Sequence, residues 1–358
     1  MNFFISLTQK LIQEGNTVDV ASNDTLKPIS NIYAELGCKV FNISCTRAPL
    51  SLKSFAAIKE IQEIVKQGHY DIVHCHTPIA GVCTRLACKS FRKNGLKVIY
   101  TAHGFHFYKG APIKNWLVYY PIEKYCSRFT DVLITINRED YALAKKKMKA
   151  QKTEYVPGVG IDVDKFKNTV VDRTAKRKEL GIPENAFLLL SVGELNANKN
   201  HQIVIRALAQ LNDSNIHYMI AGKGDLHDEL ICLANRLGVA KQVHLLGYRK
   251  DVAELYKTAD VDVFPSIREG LGLAAIEGMA AGLPLVCSDN RGTKEYAING
   301  KGALVCNSIN DFASAIDRLH TDPRLRDELG QAGVAEIEMF SEKRVNKTML
   351  QIYCEGEE

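Results

Sequence analysis

No apolar run in this 358-residue chain approaches the roughly 18 residues needed to cross a bilayer as a helix, and its opening residues lack a secretory leader pattern. The expected location is therefore cytoplasmic, with peripheral attachment to the inner face of a membrane as the closest association. No CxxC pairing occurs either. The ten cysteines are scattered, and many stand in apolar settings such as Cys75, Cys126, Cys287 and Cys306, which argues against a disulfide framework and for buried thiols in a reducing compartment. An excess of one charge is missing too: 46 basic against 41 acidic side chains leave +5, too mild for a nucleic-acid-binding surface. One dense basic patch, Lys145, Lys146, Lys147, Lys149 and Lys152, leaves two readings open, a solvated helix face or attraction to an anionic membrane. What remains is an ordinary soluble composition, 46% hydrophobic and 24% charged, on a chain long enough for two domains with their own cores.

The most informative stretch is Asp260 to Pro284. Val261, Val263 and Phe264 read as a buried strand, Pro265 and Ser266 end it, and Gly270 and Gly272 precede an Ala-rich helix that starts near Leu273. A helix N-terminus presents unpaired N–H groups and the positive end of the macrodipole, so the loop suits an anion such as a diphosphate. Glu269 and Glu277 flank it, with seven residues between them. Carboxylates accept hydrogen bonds from hydroxyls rather than neutralising phosphate, which suggests a ligand with sugars on either side of its phosphates. The plain alternative is a parallel-sheet strand followed by a capping turn and a surface helix.

The rest of the chain alternates strand and helix. It opens on a helix over Phe3 to Glu14, with a strand over Thr17 to Ala21. A doubly wound domain normally starts with a central strand, so that strand is missing here, and Met1 is expected to be an internal methionine preceded by roughly 15 to 20 residues. Two later strand ends carry histidines, His74 and His76 in HCHTP, and His103 and His106 in TAHGFHF. No carboxylate or cysteine cluster stands at matching spacing, so no metal is expected. His103 is the stronger ligand candidate because Gly104 lets the backbone approach closely. Beyond it, FHFYKGAPIKNWLVYYPIEKY reads as a helix of mixed core and surface, or as an acceptor-side lid resting on lipid headgroups.

The turn PGVGIDVDKF leaves the first domain, and a connection from Gly158 to about Glu184 leads to a strand over Leu188 to Val192. The loop GELNANKNH after that strand places Lys199 before a helix, a second phosphate-site pattern that is weak by itself. The turns GKGD and GYRKDV follow later strands, and two helices, Ile309 to Leu319 and Glu342 to Tyr353, close the chain.

EGLGLAAIE and TAHGFHFYKGAP together closely resemble the retaining GT-B glycosyltransferases of family 4 (glycosyl transferases group 1), including those of capsular and exopolysaccharide biosynthesis. The resemblance implies an α/β fold of two Rossmann-like βαβ domains facing across a cleft: an acceptor-side domain over 1–165, a nucleotide-sugar domain over 166–341, and a helix over 342–358 crossing back. It implies transfer of a sugar from a nucleoside-diphosphate sugar to a hydroxyl acceptor, on a lipid-linked or growing surface glycan, without metal or cofactor. His103, Lys199 and Glu269 take the catalytic roles. Gly270, Leu271, Gly272 and Leu273 meet the sugar and its phosphates, Glu277 holds the ribose, and Gly222, Lys223, Tyr248 and Arg249 line the base. His76, His106 and Lys109 fall on the acceptor side. Glu194 stands where relatives commonly have an arginine that pairs with the lysine, leaving Arg268 or Arg249 to compensate. Two other functions share the architecture: a sugar-nucleotide epimerase and a truncated, non-catalytic nucleotide-sugar-binding protein.

Overall fold

A computed structural model describes residues 4–25, 28–46 and 52–355. It divides into two compact units, Met1–Gly160 with Glu342–Glu358, and Ile161–Ser341. The division falls after Gly160, where the sequence reading put it after residue 165. Phe3, the expected start of the first helix, lies outside the described residues, and so does Met1.

The first unit carries two parallel sheets. Strands β1 (Val20–Ser22) and β2 (Val40–Asn42) form one, and β3 (Ile72–His76), β4 (Lys97–Ala102), β5 (Val132–Thr135) and β6 (Lys152–Tyr155) pair in sequence order in the other. The first described helix is Ile5–Gln13, and among the described residues no strand joins the pair to the four-stranded sheet. Strand β5 is buried at every position and β4 at all but its first, as expected for parallel strands covered on both faces. Alternation then sorts their side chains. Ile99, Val132 and Ile134 pack with Leu7 of the first helix and with Val345, Met349 and Ile352 of the last, Glu342–Cys354. Tyr100, Ala102 and Leu133 pack instead with Phe105, Phe107 and the inner face of the helix Ile113–Cys126.

The second unit holds one seven-stranded sheet. In chain order the strands are β7 (Phe187–Val192), β8 (Ile216–Ala221), β9 (Val243–Gly247), β10 (Val261–Phe264), β11 (Leu285–Ser288), β12 (Ile298–Asn299) and β13 (Gly302–Cys306); in space they run β12-β13-β11-β10-β7-β8-β9. From β7 the chain winds outward through β8 and β9, then returns to add β10 on the other side of β7. The switch point lies between β7 and β10, and ligands of such sheets bind beyond the strand ends there.

Two expectations are corrected. Residues 161–184 belong to the second unit rather than to a connection, because Arg177 of the helix Arg173–Glu179 is buried and tied down: it donates to the carbonyls of Glu184 and Ala186 and pairs with Asp260 at 2.9 Å. A third closing helix, Pro323–Glu336, stands between the two expected ones. Its glycines mask it in sequence. A side chain at Gly330 would meet the Gly282 carbonyl at 2.3 Å, so this helix packs through its backbone where others use apolar side chains.

All ten cysteines are unpaired and eight are buried. Arg85 is fully buried beneath the first unit's sheet. It donates from Nε to the Gly81 carbonyl at 2.8 Å, pairs with Glu123 at 2.9 Å and lies 4.0 Å from the Tyr100 ring centroid. Removing one partner of such a pair strands the other charge out of water. Glu123→Gln is accordingly expected to destabilise the protein by about 3 kcal/mol or more, read from denaturant unfolding; a change near zero would mean that Arg85 finds another partner.

Candidate active site

The loops after β7 and β10 meet because those strands are neighbours. Lys199 Nζ donates to Glu269 Oε1 at 2.8 Å, and lies 5.0 Å from the Phe264 ring centroid. Both side chains are largely but not fully covered. The stem of Lys199 runs over Gly193, where an added Cβ would touch its Cε at 3.2 Å.

The Glu269 loop is held from both sides. From the β7 side, Asn198 donates from Nδ2 to the Arg268 carbonyl at 2.9 Å and accepts from the Ile267 N–H at 2.8 Å through its own carbonyl. From the β11 side, Asn290 Nδ2 donates to the Ser266 carbonyl at 2.9 Å, while its Oδ1 accepts from the N–H groups of Gly292 and Thr293. Arg291 Nε donates to the Glu269 carbonyl at 3.3 Å. Gly292 is so close that a Cβ there would meet the Cβ of Glu269 at 2.8 Å. SDNRGTKEY reads in sequence only as a polar turn; Asn290 with Gly292 two residues on is a recognisable turn signal, but nothing local says which loop it braces.

Gly272 begins the helix Leu273–Ala280 at φ +91°, with the Phe264 ring and the Tyr296 hydroxyl where a side chain would stand. Leu271 and Gly272 are buried, whereas Gly270 and Leu273 are half-buried. Glu277 follows one turn into that helix, and among the described residues its carboxylate makes no hydrogen bond. Burial pushes its pKa up to about 7 against the opposing charge of Lys165. Asp262 lies under the same helix, wholly buried, and burial together with the Glu277 charge raises it well above the carboxylate range.

Beneath the β7 loop runs a buried polar chain. His201 joins the Glu194 carbonyl at 3.2 Å to the Tyr218 hydroxyl at 3.0 Å; Tyr218 donates to Ser191 Oγ at 2.8 Å, and Ser191 to the Val263 carbonyl. It stitches β7, β8 and β10 together. The side chain of Glu194 accepts from Asn196 at 3.0 Å.

The remaining assigned residues of this unit sit at the ends of β8 and β9. Gly222 is needed for packing, since a Cβ there would meet the Gly193 carbonyl oxygen at 1.8 Å, and the Leu195 N–H donates to the Lys223 carbonyl at 3.0 Å. Lys223 and Tyr248 are exposed. Arg249 is committed elsewhere: it pairs with Asp251, and with Glu179 at 2.9 Å, in a cluster that Lys176 shares through Asp251. This commitment counts against Arg249 as the replacement for the arginine missing at position 194.

In the first unit, His76 Nδ1 and His103 Nε2 are 3.2 Å apart, and Phe4 stacks on His76 at 4.1 Å between centroids. His74 bonds Tyr353 at 2.7 Å and Thr101 at 2.8 Å. Burial holds His103 down to about 4 and His74 to about 3, with His76 well below the ordinary value, so the cluster is neutral near pH 7. His106 stacks on Tyr119, and Lys109 is exposed in a turn. Tyr353 and Phe4 had no signal in the sequence. Among the described residues no group of three or more His, Cys, Asp or Glu side chains is arranged to hold a metal ion.

Comparison with known proteins decides the family. The model of "Glycosyl transferases group 1" matches residues 172–335, and that of "Glycosyl transferase 4-like" matches residues 2–137. The "Putative glycosyltransferase EpsD" of Bacillus subtilis (strain 168) is 41% identical over 320 residues, which cover 87% of this chain and 84% of EpsD. The chain is a group 1 glycosyltransferase. An Escherichia coli UDP-Gal:alpha-D-GlcNAc-diphosphoundecaprenol alpha-1,3-galactosyltransferase is 30% identical over 73% of this chain and 66% of its own length. The crystal structure of Anabaena HepE (Alr3699) with UDP and glucose aligns with a TM-score of 0.81 at 19% identity, covering 98% and 95% of the two chains, and WaaG, a glycosyltransferase involved in lipopolysaccharide biosynthesis, aligns at 0.76 with 19% identity, covering 99% and 96%. The glycosyltransferase therefore has the GT-B fold.

Glu277 offers a test of how dry its surroundings are. Its folded pKa stands above the ordinary 4.5, so its contribution to stability is complete below about pH 4.5 and is lost as pH rises through 7. Glu277→Gln cannot ionise. It should raise the unfolding temperature of the unliganded enzyme at about pH 8.5, equivalent to on the order of 2 kcal/mol, and change it little near pH 5. The same difference at both pH values would contradict burial as the cause.

Proposed function

We propose that the enzyme is a retaining glycosyltransferase that moves a sugar from a nucleoside-diphosphate sugar to a hydroxyl of a lipid-linked or growing surface-polysaccharide glycan on the cytoplasmic side of a membrane. The observation that carries the reading is the 2.8 Å contact between Lys199 and Glu269 at the switch point of the second unit's sheet, beside a helix that begins at Gly272. The name of the undecaprenol-linked galactosyltransferase supports the substrate class, as does the UDP bound to HepE.

In this reading the diphosphate lies against the amides of Gly270 to Leu273 and draws the ammonium of Lys199 away from Glu269. The freed carboxylate then accepts from hydroxyls of the transferred sugar, and Glu277 accepts from the ribose. Lys223 and Tyr248 flank the base. The bond from the anomeric carbon to the phosphate oxygen breaks as the acceptor oxygen bonds to the same face of that carbon, and the acceptor's proton passes to the departing phosphate. Lys199 and the helix amides stabilise the charge that develops on the leaving group, where preorganised donors have their largest effect. His103 of the first unit enters by resemblance alone.

Two measurements test this. Lys199→Ala should lower turnover by about a hundredfold or more, as for loss of one preorganised donor; unchanged turnover would refute its role. A nucleotide sugar at about a hundred times its dissociation constant should stabilise the enzyme by about 2.7 kcal/mol in a thermal-shift screen, and no shift with any common nucleotide sugar would remove the donor class.

A further inference from the structure

Gly247 closes β9 at φ +66°, and the chain turns through Tyr248, Arg249 and Lys250 into the helix Val252–Thr258. Tyr248 is 69% exposed. A loop tip that carries an exposed ring would ordinarily be free to move. Here the next residue is fastened on two sides. Arg249 Nε donates to Asp251 Oδ1 at 2.8 Å, and its Nη2 reaches both Asp251 and, at 2.9 Å, Glu179, which lies 70 residues earlier at the end of the helix Arg173–Glu179. Lys176 of that helix completes the cluster. It is itself buried, and its ammonium bonds three carboxylates, Asp251 at 2.6 Å, Glu254 at 2.9 Å and Glu179 at 3.0 Å.

Asp251 gives up a helix cap to join this cluster. It stands at the N-cap of Val252–Thr258, where an aspartate side chain ordinarily accepts from the amides of the first turn, and it caps none of them. Its oxygens go to Arg249 and Lys176 instead. The bond from Arg249, with a smaller pull from Lys176 and against burial, holds its carboxyl well below the usual carboxylate range, so it stays ionised at neutral pH. The helix does not need the cluster to stay in place, since Ala253, Leu255, Tyr256 and Thr258 are buried. What the cluster adds is a fixed turn between that helix and β9. The Lys223 stem passes Gly247 at 4.0 Å from where a side chain would begin, so the two residues assigned to the base meet at this turn.

We propose that Lys176 is a positioning residue for the nucleotide: through Asp251 and Arg249 it fixes the turn that presents Tyr248 to the base, so that the ring is in place before the ligand arrives. This rests on the reading that puts the base at Tyr248. An aromatic face stacks on any base, and the affinity it adds is greatest when the ring and its loop need not be immobilised at the moment of binding. Lys176 acts only through its neighbours. Removing its charge leaves three carboxylates around one guanidinium, and their repulsion loosens the turn.

The test is calorimetric binding of UDP, GDP and inorganic pyrophosphate to the full chain; pyrophosphate has the phosphates and no base. Tyr248→Ala should weaken the tighter-binding nucleotide by about tenfold and leave pyrophosphate unchanged. Lys176→Met should weaken that nucleotide by about fivefold, again sparing pyrophosphate. Asp251→Ser returns a capping side chain to the helix while releasing Arg249 and Lys176. Its unfolding temperature should stay near the parent's, its nucleotide affinity should fall with that of Lys176→Met, and it replaces that variant if Lys176→Met does not fold. The deciding measurement is the double variant, since a residue that works through Tyr248 costs nothing further once Tyr248→Ala is in place. Equal losses in the two backgrounds, an equal loss for pyrophosphate, or parent-like nucleotide binding by Asp251→Ser would overturn the proposal and leave the base at Tyr248. Parent-like nucleotide binding by Tyr248→Ala, or a parent that binds neither nucleotide, would remove the reading beneath it and the proposal too.

Discussion

A lysine and a glutamate 70 residues apart touch in this enzyme only because β10 returns to lie beside β7. That topological step is the constraint on which the site depends. Each loop is unremarkable alone: one is a polar turn with a lysine, the other a glycine turn before a helix. Their meeting produces an ion pair beside the start of the helix Leu273–Ala280, and an ion pair has a property that a bare ammonium lacks. In the free enzyme each charge is satisfied by the other, so neither must be held desolvated and alone while the site is empty. In the proposed reading an arriving diphosphate is a stronger partner for the ammonium than one carboxylate, and the carboxylate it displaces becomes available to hydroxyls.

Such an exchange needs a stiff frame. Asn198 on one side and Asn290 on the other hold the loop by side-chain amides that donate to its backbone carbonyls, so a change in the partner of Lys199 need not move the chain. Glu277 belongs to a different regime. Its half-buried carboxyl makes no hydrogen bond among the described residues, and loss of solvent pushes its pKa up to about 7. A ligand that donates hydroxyl hydrogens to it supplies the missing partners and favours the ionised form. The loop therefore holds one acid already paired, and the helix after it one without a partner.

The strand, the two glycines and the helix around Glu269 were legible because each leaves a local mark: an apolar run, residues free to take unusual backbone angles, then alanines. Histidines at the ends of β3 and β4 were legible for the same reason. The bracing by Asn290 was not, since turn chemistry is visible but its target is set by the order of strands. The contact of His74 with Tyr353 spans 279 residues and depends on the last helix returning to the first unit. Residues 161–184 looked like a connection because Pro157, Gly158 and Gly160 stand just before them; what makes them part of the second unit is the buried guanidinium of Arg177, and an arginine in a charged helix reads as solvated. The Pro323–Glu336 helix escaped because its packing uses glycines, which carry no apolar signal.

The absence of an arginine at position 194 sets the electrostatics of the β7 loop. The chain from the Glu194 carbonyl through His201, Tyr218 and Ser191 to the Val263 carbonyl ends in an acceptor on both sides, and its four contacts would take four hydrogens. Neutral His201, Tyr218 and Ser191 supply three between them. Only an imidazolium would supply the fourth, yet burial, with a smaller push from the Lys199 charge and against the bond to the Glu194 carbonyl, holds His201 down to about 4. Near neutral pH the chain is thus one hydrogen short, a cost accepted in place of a second buried cation. His201 braces the loop without adding charge to it, Glu194 turns to Asn196, and Arg249 is held by its own acids. The cations beside the Glu269 loop are then Lys199, paired with its carboxylate, and Arg291, which donates to its carbonyl, rather than a lysine and arginine pair on the β7 loop itself.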